Sequence, residues 1–325
     1  MSRRKRLATA FTQGLGAAAG RAHVVGGLLL VNLLVAWVLA APLKGVLADN
    51  LDLNLYSDTM ATGASWRWFD TVDRLNPAAF GNLDAWQGLL SPEGVKASAL
   101  GKLSGTALAV VLAGLFLFWA NAVFHCGFLA TLQPAERRLG FGASCAHLAL
   151  PASALSFFAL LSYLGVYALC YVQTGKWLEP WRGELPSEGV AIALTWARLA
   201  VTGLGLLVVK TLFDLGKIAL ATRGNWNWPW AFFVAASELA RRSPGYLLLS
   251  LGMGALVLPL SALWWATGGL LHPQGSIGLL ILFVLHQLFV AARIFLRLAH
   301  LGAAHSYFQQ SRTARASLPY KVDPA

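Results

Sequence analysis

Apolar residues run along this chain in six long blocks, at about 23–43, 103–132, 147–172, 189–209, 245–269 and 276–301, parted by shorter polar breaks. At a rise of about 1.5 Å per residue, a block of roughly 20 residues crosses a hydrocarbon core of about 30 Å. The pattern predicts an all-α fold, a polytopic membrane helix bundle with six transmembrane helices and short interfacial helices. The last block, SIGLLILFVLHQLFVAARIFLRLAHL, carries His286, Arg293, Arg297 and His300. At 100° per residue these four fall on one helical face, which predicts packing against other helices instead of lipid.

The breaks divide the chain further. Residues 1–22 are a basic, Gly/Ala-rich leader, and 23–43 form a first span too long for the core of a signal peptide. Residues 44–102 mix acids with Trp66, Trp68, Phe69 and Trp86 and are expected to be an external segment with short surface helices. Residues 103–300 read as a five-span helical bundle with a cytoplasmic elbow at 210–243, and 301–325 as a cytoplasmic tail. The fourth span is expected to run on past the membrane to Arg223. In the elbow, NWNWPWAFFVAASELARRSP predicts a short amphipathic helix stopped by Pro244, and Pro259 predicts a kink in the fifth span.

Composition excludes an ordinary soluble domain: 57% of residues are hydrophobic and 12% charged, with mean hydropathy +0.60. The net charge of +11 would point to nucleic acid in a soluble chain. Here Lys and Arg concentrate in the leader, the ERR turn at 136–138, the elbow and the final segment, so the charge reads as membrane orientation, with both termini cytoplasmic and no nucleic-acid partner. A bacterial cytoplasmic (inner) membrane, multi-pass, is the expected location.

Little catalytic chemistry is legible. Cys126, Cys145 and Cys170 form no CxxC motif, His300 and His305 miss the i,i+4 spacing of a helical metal pair, and Gly142-Ala143-Ser144 does not complete GxSxG. No cofactor is expected. The stretch around ELARRSPG lacks the EAA-plus-glycine order of a transporter coupling loop. Two polar groupings stand out instead. Arg198, His286, Asn32 and Tyr163 are each expected near mid-depth of their spans, as a polar layer around an anionic ligand; the plainer reading has Arg198 snorkelling beside Trp196. Lys210, Lys217, Arg241, Arg242, Arg293 and Arg297 form a basic cytoplasmic surface for anionic phospholipid or a protein partner, unless they serve orientation alone. Asp214 stands one turn from both Lys210 and Lys217 and is expected to pair with them.

The WRWFD box, FDLGKIAL after the fourth span, ELARRSPGYLL opening the fifth and HQLFVAARIFLRLAH in the last together resemble a family of uncharacterised bacterial six-span integral membrane proteins. In that family an Asp-plus-basic box, an Arg-x-Pro helix start and a Gln-to-Arg last helix recur. This chain has Leu215-Gly216-Lys217 where the family pattern has tyrosine, a small residue and arginine. A fainter similarity is to the membrane domain fused to some glycerophosphodiester phosphodiesterases. The resemblance implies a topology and no activity. Two function classes follow: a non-enzymatic membrane subunit or scaffold, and a carrier or binding protein for a lipid or anionic amphiphile.

Overall fold

A computed structural model gives the fold and describes residues 3–51, 105–134, 140–177, 188–223, 227–270 and 275–316. Among these residues every regular element is helical: α1 (Arg3–Ala19), α2 (Ala22–Leu51), α3 (Gly105–Ala130), α4 (Phe141–Tyr167), α5 (Glu188–Arg223), α6 (Trp228–Ala255), α7 (Val257–Leu270) and α8 (Gly275–Ala316). Five stretches are long and apolar enough to cross a membrane, and a sixth if α1 and the start of α2, bent by 67°, count as one span. The protein is an all-α, multi-pass helical membrane protein. The aromatic box at 66–69, within the expected external segment, lies outside the described residues.

Two compact units divide the helices. The first holds α1 and the start of α2, the end of α3, all of α4, α5 and α6, the first part of α7, and α8 from Ala291 onward. Its centre is α5, which packs against both α4 and α6. The second holds the rest of α2, α3 and α7 and the first part of α8; there His286 meets the Trp264 ring edge-on, with centroids 5.0 Å apart, and Trp264 stacks on Phe289.

The core of the first unit gathers along the C-terminal stretches of α5 and α8. Phe213, Leu215, Ile218, Ala219 and Leu220 of α5 are buried, as are Leu298, Ala299, Leu301, Ala303 and Phe308 of α8, with Leu155 of α4 and Tyr246 of α6. Earlier in α5 the pattern reverses: Val190, Ile192, Trp196, Leu199, Val201, Leu204 and Val208 are all exposed. An apolar helix face of that length is stable only against lipid or another apolar surface.

Three sequence expectations can be placed locally. The short helix expected to end at Pro244 does end there: the run Trp228–Ala255 is two helical segments meeting at a kink at Arg242 (φ −139°, ψ 24°), two residues before the proline. The absent proline N–H and its ring clash with a preceding carbonyl are absorbed in that one turn. Near Pro259 the helix is only locally disturbed: Leu256, three residues earlier, parts α6 from α7 yet keeps helical angles (φ −69°, ψ −21°). The stretch 301–316, read as tail, continues α8 and buries Tyr307 and Phe308.

α1 folds back onto α8 through small residues: Gly14 lies against Ala299 O and Ala303, and Gly302 faces Gly14 and Ala17. The turn between α1 and α2 is tied down by Arg21, whose Nε donates to Thr131 Oγ1 at 2.7 Å and Nη2 to Thr131 O at 2.8 Å. That carbonyl belongs to the frayed end of α3, where no helical N–H remains to meet it. Arg21→Met is expected to lower stability by about 1–3 kcal/mol, the loss of charge-assisted bonds to part-buried acceptors, in a detergent melting experiment. A melting temperature equal to wild type would mean that the turn holds without them.

Candidate functional site

The densest polar cluster in the first unit forms around Asp214. Its side chain is 3% exposed and sits on α5 two turns beyond the last exposed apolar residue of that helix, Val208. Lys210 and Lys217 reach it along α5, at 3.3 and 3.9 Å, as their i,i+4 and i,i+3 spacing requires. The closest partner comes from 83 residues away: Arg297 of α8 donates Nη1 to Oδ2 at 2.8 Å and Nη2 to Oδ1 at 2.5 Å. This is a two-pronged guanidinium–carboxylate pair, which fixes both groups in one plane. Asp214 therefore does pair with its two lysines, but the fork from α8 dominates, and spacing along α5 gave no sign of it.

A second chain of contacts leads away from the carboxylate. His300, one turn after Arg297, places Nδ1 3.7 Å from Asp214 Oδ2 and Nε2 2.9 Å from Ser250 Oγ, and Ser250 lies 3.3 Å from Thr211 Oγ1. All four side chains are buried. A proton on Nδ1 faces the carboxylate favourably, leaving Nε2 to accept from the Ser250 hydroxyl. The order hydroxyl, imidazole, carboxylate is that of a serine-hydrolase triad, and sequence reading named neither nucleophile nor base.

Two features set it apart from working triads. Both oxygens of Asp214 are engaged by Arg297, so the aspartate holds an arginine more firmly than the histidine. Ser250 also lies inside α6, where neighbouring N–H groups serve helical carbonyls, so α6 itself offers no free backbone pair to a developing oxyanion. The arrangement ties α5, α6 and α8 together.

The cluster carries three cations against one carboxylate, an excess of two positive charges with His300 neutral. Half-buried Tyr163 lies on α4, eight residues before Tyr171, on whose ring the Arg198 guanidinium sits at 3.9 Å. Asn32, in the second unit, donates to Leu28 O of its own helix at 2.8 Å, and His286 has Trp264.

Of the expected basic surface, Lys210, Lys217 and Arg297 converge on Asp214. Arg242 pairs with Glu238 at 3.6 Å. Arg241 and Arg293 are exposed, Arg293 one turn before Arg297. His305 turns away from His300 toward Gln133 and Gln309, at 3.3 and 3.4 Å. Cys126, Cys145 and Cys170 are free thiols. Comparison with protein-family models, curated protein sequences and solved structures finds no match.

Proposed function

We propose that the protein is a non-enzymatic scaffold or subunit of the bacterial inner membrane, with both termini cytoplasmic, that holds a protein partner at its basic elbow. The observation that carries this reading is the interlock at Asp214: the Arg297–Asp214 fork and the Ser250–His300 contact tie α5, α6 and α8 together. Such an interlock rigidifies the surface around it. The surface beside it is the first half of α6, where Phe233 is 70% exposed and Arg241 is exposed two turns further on. An aromatic anchor with a nearby arginine is the composition of a protein-binding centre. The lean of Lys and Arg toward this side, and the resemblance to bacterial six-span proteins, support the orientation and the compartment.

The test is isolation of the full chain from its own membranes as wild type and Arg241→Glu. A stoichiometric protein should accompany wild type and be lost from Arg241→Glu at an unchanged melting temperature. Reporter fusions after Arg223 should read cytoplasmic and those near Glu184 external; an external signal after Arg223 would overturn the orientation. Recovery of phospholipid alone would favour a second reading, a binding protein for a lipid or anionic amphiphile. The observation favouring that reading is the environment of Arg198.

A further inference from the structure

Arg198 is held in a way that an incidental surface arginine is not. Just after Tyr167, α4 widens into a π-helical turn, Ala168–Gln173, before returning to α-helix at Thr174. Thr174 donates its hydroxyl to Cys170 O at 2.6 Å, satisfying a carbonyl that the wide turn displaces. The turn sets Tyr171 face-on beneath the guanidinium and stacks Tyr167 against Tyr171 with ring centroids 5.3 Å apart. One helical turn later, Gly175 makes room: a methyl there would come within 2.8 Å of Arg198 Nη2 and 2.9 Å of Cζ and Nη1. The guanidinium plane is therefore fixed by an aromatic face and a glycine notch. No carboxylate among the described residues pairs with it, and its Nε is enclosed without a hydrogen-bond partner.

The surroundings identify the medium. Trp177 and Trp196, the aromatic neighbours in sequence of Gly175 and Arg198, are 64% and 68% exposed. Exposed tryptophans with stacked tyrosines mark the boundary between acyl chains and headgroups. Arg198 and Asp214 are sixteen steps apart on α5, about 24 Å of rise against a hydrocarbon thickness of about 30 Å, so they lie toward opposite ends of its apolar stretch. A guanidinium so held, with no carboxylate partner among the described residues, calls for an anion, and the anions concentrated at a bilayer surface are phosphodiesters.

We propose that Arg198, seated on Tyr171 and Gly175, is an oxyanion fork for the phosphodiester headgroup of a membrane lipid in the leaflet opposite the Asp214 cluster. This rests on the lipid-binding reading above and names its site. It does not compete with the scaffold reading, since a scaffold can carry a bound lipid.

The test uses the full chain, delipidated in a maltoside detergent, with dioleoyl phosphatidylglycerol or inorganic phosphate as probe, read by native mass spectrometry and by melting. Wild type should take up one more lipid than Arg198→Met at limiting lipid, with affinity at that site falling roughly tenfold or more in the variant. Arg198→Lys should fall between them, because it keeps the charge and loses the fork. Gly175→Ala should behave like Arg198→Lys by displacing the guanidinium with the charge intact, so the idea stays testable if Arg198→Met does not fold. Inorganic phosphate shifting wild type, but not Arg198→Met, as strongly as lipid does would overturn the headgroup as the source. Equal uptake by wild type and Arg198→Met would overturn the Arg198 site while leaving lipid binding elsewhere; no uptake by wild type would sink the lipid-binding reading as well.

Discussion

Asp214→Asn is expected to cost the detergent-solubilised protein about 3–5 kcal/mol, enough to abolish a folded fraction in many membrane proteins. The substitution keeps the shape and removes the charge. Lys210, Lys217 and Arg297 would then stand around a neutral amide, and the amide NH₂ would point at one prong of the Arg297 fork that now meets an oxygen. Arg297→Lys should also be damaging, by about 1–3 kcal/mol, because an ammonium cannot make both bonds of the planar fork. The double variant Asp214→Leu/Arg297→Leu returns the excess charge to its native value and should cost clearly less than the sum of its single changes. Melting and denaturant unfolding of wild type, Asp214→Leu, Arg297→Leu and the double variant would measure this coupling. A loss below about 1 kcal/mol for Asp214→Asn would mean that water, not the cations, satisfies the carboxylate.

How much of this could be read from the chain depends on the range of each interaction. The all-helical, multi-pass architecture was legible because a span announces itself locally, through some twenty apolar residues. The shared face of Arg297 and His300 was legible too, since their spacing on one helix settles it, and both do turn to Asp214. That Arg297 would find Asp214 was not, because the pair joins helices 83 residues apart and nothing at either position encodes the other. Ser250 gave no signal at all, being one serine within an apolar helix, and only the placement of His300 gives it a role. Arg198 shows the limit from the other direction. Counting from Gly189 put it at mid-depth, but α5 is 36 residues, about 54 Å, and a helix longer than the bilayer leaves its depth undetermined by counting. What the sequence could not show is the seat of the guanidinium on Tyr171, made by a wide turn that no sequence rule marks.

Gly14→Val is expected to release α1 from α8, with a loss of at least about 1–3 kcal/mol and faster proteolysis of the first twenty residues. Any side-chain carbon at Gly14 would overlap Ala299 O and come within 2.6 Å of Ala303 Cβ and N. The first of these is backbone of α8, which cannot move without disturbing the buried run of Leu298, Ala299, His300 and Leu301 that ends at the Asp214 cluster. The neighbouring glycine gives an internal control: Gly16 is exposed on the same helix, with nothing within 4 Å of where a β-carbon would sit. Gly16→Ala should therefore be neutral or stabilising by about 0.5–1 kcal/mol, the ordinary gain of replacing glycine in a helix. Gly14→Ala and Gly16→Ala differ by two positions and are identical in chemistry, so propensity and composition effects cancel between them. If both behave alike in melting and in protease sensitivity, the close crossing of α1 over α8 does not exist in solution; opposite signs would establish that α1 is a docked part of the first unit.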